Sequence, residues 1–226
     1  MKKVILLYGA PGAGKGTQAD LLAKKFGYFH FDTGKYIEQV VYDPEKLKNK
    51  IVQRERKIFD SGELCTPSWT LNIVAKKAEE LAKAKLRVVF SGSPRTLFEA
   101  FGDKKTKGLI NVLEKLFGKK NIGVLYIEVK PETSIFRNSN RSVCSVCGAP
   151  ILFDQNNLQK NCLFCGAALK KRVFDNPEKL KVRLQEYKNR TQPVLEELKK
   201  RGYRINTISG EVEPFNVFEE VKKKIN

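Results

Sequence analysis

The chain of 226 residues has one histidine, only five cysteines, and no apolar run near the ~18 residues that a membrane helix requires. Its longest obvious apolar run is Val4–Tyr8. Lys2 and Lys3 ahead of that run imitate the start of a signal peptide. The run is too short for the hydrophobic region of such a peptide, and a glycine-rich stretch follows soon after. Export is therefore excluded, no membrane association is expected, and a reducing, cytoplasmic setting is. The few cysteines then do not make a disulfide framework. Low-complexity segments, long linkers and internal repeats are absent as well. Acid is scarce: Lys and Arg number 43 against 25 for Asp and Glu, a net charge of +18. Such an excess favours anionic partners, namely nucleotides, nucleic acid or an acidic membrane surface, although runs such as Lys222-Lys223-Lys224 read as solvated surface. With 41% hydrophobic and 30% charged residues a real core is possible and global disorder is excluded.

What is present alternates between strand-like and helix-like stretches. Val4–Tyr8 reads as a buried strand, 28–31 as a short second one, Val88–Phe90 as a third, 122–129 as a fourth and 203–208 as a fifth. Ala19, Leu22, Ala23 and Phe26 give Lys15–Phe26 a helical period. Residues 67–84 read as a helix with Pro67 in its first turn. Residues 176–200 read as a long helix kinked at Pro193, and 214–225 as a last helix. Near-continuous apolar strands between helices imply a parallel sheet covered on both faces. Residues 33–65 and 142–172 break the rhythm and read as insertions into that core.

Gly9-Ala10-Pro11-Gly12-Ala13-Gly14-Lys15-Gly16-Thr17 follows the first strand and opens the first helix. Glycines there let backbone N–H groups turn inward around an anion, and the helix N-terminus adds about half a positive charge. Lys15 is the residue that reaches the β and γ phosphates of a nucleoside triphosphate, and Thr17 supplies the hydroxyl one position later than the strict pattern has it.

The four remaining candidates for special chemistry are cysteines. Cys144-Ser145-Val146-Cys147 and Cys162-Leu163-Phe164-Cys165 are two CxxC knuckles, with 14 residues between Cys147 and Cys162. Together they complete a tetrahedral all-thiolate site for structural Zn²⁺ with no open position for catalysis. Such a metal would staple a lid too small to hold its own core. Cys65 stands alone and reads as a small buried hydrophobe.

The spelling GxPGxGKGT resembles the nucleoside monophosphate kinases, and among them the adenylate kinase family. Asp32-Thr33-Gly34 resembles the acceptor-site TG of that family. Ser61-Gly62-Glu63-Leu64, with Cys65 beside it, resembles the segment that lies against the acceptor base. Gly92-Ser93-Pro94-Arg95-Thr96 resembles GFPRT. Arg137 and Arg141 fit R-x3-R, while Arg172 and Arg183 fit the paired arginines after the lid. The resemblance spans almost the whole chain. It implies a P-loop NTPase three-layer α/β sandwich with a five-stranded parallel sheet: a core of 1–32, 66–141 and 173–226, a helical NMP-binding insertion at 33–65 and a zinc lid at 142–172. It implies a monomer that catalyses ATP + AMP ⇌ 2 ADP with Mg²⁺. The catalytic cations would be Lys15, Arg95, Arg141, Arg172 and Arg183. ATP would lie on Gly12, Ala13, Gly14, Lys15, Gly16, Thr17, Arg137 and Arg141. AMP would lie on Thr33, Gly34, Lys35, Glu63, Leu64, Cys65, Gly92, Arg95, Glu99, Arg172 and Arg183. A monophosphate acceptor already carries an anionic oxygen, so no general base is needed, and His30 reads as structural.

The departures from the family pattern carry further expectations. Lys35 and Glu38 stand where the family has Asp and Arg in TGDxxR; being three apart on one helix face, they are expected to pair, with Lys35 taking the phosphate contact. Ser91 stands where an Asp holds waters on Mg²⁺, and Asp32 where a Ser is usual, so Asp32 is expected to take over in the Mg²⁺ shell with Thr17. Glu99 stands where a Gln reads the acceptor base. An ionised carboxylate only accepts hydrogen bonds; it could take the adenine amino proton, but it matches guanine N1–H and N2–H₂ better. GMP or a pyrimidine monophosphate is therefore an alternative acceptor. A zinc-ribbon protein that binds nucleic acid and uses NTP as a switch is an alternative of another class, and an inactive, degenerate kinase is a third.

Overall fold

The computed structural model describes residues 1–148, 150–151, 159–171 and 176–225. Five strands, β1 (Val4–Tyr8), β2 (Phe29–Phe31), β3 (Val88–Phe90), β4 (Ile122–Glu128) and β8 (Ile205–Ser209), form a parallel sheet in the order β2-β3-β1-β4-β8. The register pairs Leu6 with Phe90 on one side and with Val124 on the other. Every residue of β1 is buried, as a strand covered on both faces requires.

Strand side chains alternate between two apolar layers. Val4, Leu6 and Tyr8 pack with Leu71, Val74, Leu113 and Leu198 on one face. Those partners belong to α4 (Pro67–Lys83), α6 (Leu109–Phe117) and α9 (Gln192–Lys200). Ile5 and Leu7 pack with Ala19, Leu22, Val217 and Val221 on the other, from α1 (Lys15–Phe26) and α10 (Pro214–Lys224). This is the expected three-layer α/β sandwich. The chain leaves β1 toward β2 and β3, then crosses to β4, so the strand order reverses beside the carboxyl end of β1, where open α/β sheets bind ligands.

Two stretches differ from the sequence expectation. The long helix at 176–200 is α8 (Pro177–Glu186) and α9 joined by a π turn, Tyr187–Thr191. Pro193 lacks an N–H and its ring crowds the carbonyl four residues back, and the wider turn just before it relieves that clash. The strand expected at 203–208 begins at Ile205, because Tyr203 closes the end of α9: its N–H donates to Leu198 O at 3.0 Å and its hydroxyl to Glu114 Oε1 at 2.7 Å. Helices α5 (Leu97–Phe101), α6 and α7 (Pro131–Ser139) complete the core without having been singled out in the sequence.

Residues 33–65 carry α2 (Thr33–Val41) and α3 (Lys50–Ser61) with a single 3-10 turn between them. Ile37, Val41, Val52 and Cys65 form their small apolar cluster, against which Trp69 and Ile73 of α4 pack. One fully buried acid ties this unit to the start of α4. Glu55 accepts from Thr66 N–H at 2.8 Å, from the Thr66 hydroxyl at 2.7 Å and from Arg54 Nη2 at 2.7 Å. The segment 142–171 contributes β5 (Ser142–Cys144), β6 (Pro150–Ile151) and β7 (Leu169–Lys171), a small antiparallel sheet with β5 in the middle.

Glu55→Ala removes the shared acceptor of the half-buried Thr66 N–H and hydroxyl. It should lower unfolding free energy by about 1–2 kcal/mol. A urea midpoint within error of the parent's would contradict this role for Glu55.

Candidate active site

Gly9, Gly12 and Gly14 hold φ of 148°, 82° and 91°. The loop is also close against its neighbours. A Cβ added to Gly12 would lie 2.4 Å from Asn138 Nδ2 and 2.9 Å from Ser134 O. Gly14 opens α1 with no side-chain cap, so the first-turn N–H groups face the cleft as anion donors. Lys15 Nζ donates to Gly9 O at 2.7 Å and Ala10 O at 2.9 Å, which folds the side chain back over the loop. Burial pushes the Lys15 ammonium well below its ordinary pKa, and Arg95, Arg183 and Arg141 push it further the same way, against a smaller opposing effect of Asp32. The fold thus brings four of the five expected cations together. The fifth, Arg172, lies outside the described residues.

These groups line one cleft of about 1020 Å³, at the top of the ~300–1,000 Å³ range of single-ligand pockets. Gly12, Ala13, Gly14, Lys15, Gly16 and Thr17 form its floor. Arg137, whose Nη1 donates to Gly210 O at 2.7 Å, and Arg141, whose Nη2 donates to Asn138 Oδ1 at 3.0 Å, lie on one wall. Thr33, Gly34, Lys35, Glu63, Leu64, Cys65, Gly92, Arg95 and Glu99 lie on another, with Arg183 beside them. Thr33 and Arg95 converge over Gly92: a Cβ there would meet Arg95 Nη2 at 3.0 Å and Thr33 Cβ at 3.3 Å. Thr33 Oγ1 is buried with no hydrogen-bond partner. A guanidinium and an orphaned hydroxyl at one spot make an anion subsite.

Asp32 caps α2 by accepting from Lys35 N–H at 3.2 Å, and it lines the same cleft as Thr17. Hydroxyl and carboxylate oxygens are the donor set of a hard cation, so the residues present fit Mg²⁺. The expected Lys35–Glu38 pair is absent. Both side chains are exposed, and the Lys35 charge acts on Asp20 of α1 instead. Glu99 is 3% exposed and is half of a capping box. Its N–H donates to Thr96 Oγ1 at 3.1 Å, while its carboxyl accepts from Arg95 N–H at 2.9 Å and the Thr96 hydroxyl at 3.2 Å. Burial pushes its pKa up.

Two groups in the cleft were not found from the sequence. Glu186 Oε2 accepts from Leu64 N–H at 3.2 Å and Arg190 Nη1 at 2.9 Å, linking the 62–65 segment to α8. His30 bridges Asp20 and Ser91. Both depend on contacts between positions far apart in the chain, which no local spacing reveals.

At the far end of the cleft Cys144, Cys147, Cys162 and Cys165 hold their sulfurs within 4.8 Å of one another. Gly148 and Gly166, with φ of 68° and 72°, make the turn after each knuckle. Desolvation raises the Cys144 thiol, but hydrogen bonds from Val146 and Cys147 N–H and the neighbouring thiols outweigh it and bring it down to about 6. Four converging thiols, one already disposed to ionise, fit a closed tetrahedral Zn²⁺ site. Cys65 is the opposite case: burial pushes it up to about 12, and the thiolate is the reactive form. In the native chain treated with a chelator, four thiols should react with an aromatic disulfide reagent and Cys65 only after unfolding. A fifth fast thiol would contradict this.

Comparison with known proteins bears on the whole chain. The adenylate kinase family profile matches residues 7–203. The adenylate kinase of Caldicellulosiruptor saccharolyticus is 32% identical over 98% of this chain and 98% of its own length. That of Caldicellulosiruptor bescii is 34% identical over 88% and 87%, and that of Methanothrix thermoacetophila 32% identical over 98% of each. A cation-lined cleft on a glycine-rich loop, a sheet in this order and relatives matched end to end agree: the chain belongs to the adenylate kinase family.

Proposed function

We propose that this chain carries out ATP + AMP ⇌ 2 ADP through the cationic cage around Lys15. The observation that carries the reading is that Arg95, Arg141 and Arg183 line the same cleft as Lys15, which lies on the glycine-rich loop, and act on its charge. A transferred phosphoryl group spreads negative charge over its oxygens, and fixed cations around it supply most of what catalysis needs. The backbone N–H groups of Gly12 to Thr17 would take the donor phosphates, with Arg137 and Arg141 on the side of the donor base. Thr33, Gly34, Lys35 and Arg95, over Gly92, would grip the acceptor phosphate, and the acceptor base would lie against Glu63, Leu64, Cys65 and Glu99. Arg172 enters on sequence spacing alone. Mg²⁺, when bound, would neutralise charge on the donor phosphates; Thr17 and Asp32 would hold it or its waters. Zn²⁺ would staple the 142–172 segment, which together with 33–65 would form two movable units on the core. Closing them over the cleft excludes water from the transferring group. A monomer in the cytoplasm suits this chemistry, which needs neither a membrane nor a nucleic acid.

AMP is favoured over GMP because the chain belongs to the adenylate kinase family, and Glu99, 3% exposed, already accepts from Arg95 N–H and the Thr96 hydroxyl. That leaves base recognition largely to the backbone of 62–65. Rates compared for AMP, GMP, UMP and CMP should be highest for AMP, and a two-adenosine pentaphosphate mimic should bind more tightly than ATP. Lys15→Met should lower kcat by about 10²-fold or more. Equal binding of the mimic and ATP would overturn the two-nucleotide reading.

Lys15 also gives ATP binding a proton signature. In the free chain burial and the arginines hold its pKa down; phosphates beside the ammonium raise it. Binding must then take up protons between the two values. Calorimetry in mildly alkaline buffers of different ionisation enthalpy should show uptake that Lys15→Met removes. Uptake that survives the substitution would assign it elsewhere.

A further inference from the structure

Asp20 on α1, His30 on β2 and Ser91 just past β3 form a hydrogen-bonded chain that the transfer between nucleotides does not use. His30 Nδ1 lies 2.7 Å from Asp20 Oδ1, and His30 Nε2 lies 2.7 Å from Ser91 Oγ. The hydrogen bond from His30 holds the Asp20 carboxyl below its usual range, so it is ionised and only accepts. Nδ1 therefore carries the hydrogen. In the neutral ring Nε2 must then accept, and the Ser91 hydroxyl donates to it. This is the order of a hydroxyl nucleophile, its base and the group that orients the base.

The sheet fixes the three groups beside the phosphate loop. Phe31 pairs with Phe90 and Leu6 pairs with Phe90, so Ser91 leaves the sheet level with Leu7, two residues ahead of Gly9. Ser91 N–H donates to Phe31 O at 3.2 Å, which locks its backbone. Ser91 is 7% exposed, yet it, His30 and Asp20 all line the cleft that contains Lys15 and Thr17.

We propose that Ser91 is a phosphoryl acceptor within the chain, modified by the ATP bound in this cleft when no acceptor nucleotide is present. Ser91 Oγ forms the bond to the γ-phosphorus, and the bond from that phosphorus to the β,γ-bridging oxygen breaks. The hydroxyl proton passes to His30 Nε2 and leaves an imidazolium paired with Asp20. The products are phosphoserine at 91 and ADP, with no reagent other than ATP. The new group adds a charge of about −1.5 to −2 beside the cage, on ground that incoming phosphates need. The proposal rests on the donor-site reading of the cleft.

The test is to incubate the full chain with Mg²⁺ and γ-labelled ATP without AMP and to map the label by peptide mass spectrometry. Label is expected on Ser91 and absent in Ser91→Ala. His30→Gln should slow labelling by about 10²-fold while still binding a non-hydrolysable ATP analogue. Asp20→Asn, altering a side chain that is 48% exposed and so safe for folding, should slow it as well. An unlabelled Ser91 in a preparation that converts ATP and AMP to ADP overturns this proposal alone. Labelling of Ser91 at the parent rate in both His30→Gln and Asp20→Asn also overturns it. A preparation that neither labels nor converts overturns this proposal and the kinase reading together.

Discussion

Mutual repulsion among cations gathered on the walls of one cleft, with Lys15 at its floor, is the constraint on which the site depends. Lys15 shares the cleft with Arg95, Arg141 and Arg183, whose charges push its pKa down while that of Asp32 pushes it up. A lysine whose pKa falls on folding opposes folding below its ordinary pKa, since the unfolded chain then binds more protons than the folded one; stability from this source rises with pH through that interval. The free protein therefore carries strain of an electrostatic kind, and polyanions relieve it. Nucleotide binding and relief of that strain are one event.

Holding such groups together calls for a rigid frame, and the frame is the sheet. The two apolar layers on β1 fix the point at which the chain turns into the loop, and Gly9 can pass within contact of Ile127 O only because it has no Cβ. β3 delivers Gly92 and Arg95 from the neighbouring strand. The 33–65 unit is joined to the core by apolar packing against Trp69 and Ile73 and by a few polar contacts. Glu55 ties the 33–65 unit to α4, and Glu186 reaches the Leu64 backbone from α8. The Glu186–Leu64 contact is partly exposed and joins elements far apart in the chain, whereas the Glu55 carboxyl that holds Thr66 is fully buried.

Much of this was legible in the sequence, for particular reasons. The loop is local: its glycines, lysine and threonine are contiguous, and their spacing already implies strand, turn and helix. The two CxxC knuckles are local in the same way, and only the closing of 14 residues between them needed the fold. Arg95, Arg141 and Arg183 were found through family spacing, while their convergence on Lys15 is a tertiary fact. The failures have different physical origins. Lys35 and Glu38 share a helix face, but an exposed pair three apart is worth only ~0.2–0.5 kcal/mol, and the charge of Asp20 on another helix competes. Glu99 reads as a base contact by family position, while its carboxyl in the fold accepts from Arg95 N–H and the Thr96 hydroxyl. His30 was legible as a residue and illegible as a bridge, because Asp20 and Ser91 are 10 and 61 positions away.

The net charge of +18 illustrates why composition alone decides little. Four of the lysines are balanced within a helical turn at the surface: Lys46 with Asp43, Lys77 with Glu80, Lys222 with Glu219 and Lys223 with Glu220. Exposed pairs of this sort contribute ~0–1 kcal/mol and create no field that a ligand could use. The same kind of charge in the cleft acts across low-dielectric walls, where it is screened less and adds up. Function follows from which few of the 43 basic residues the sheet carries inward. The surplus at the surface sets the isoelectric point and leaves the chemistry to the rest.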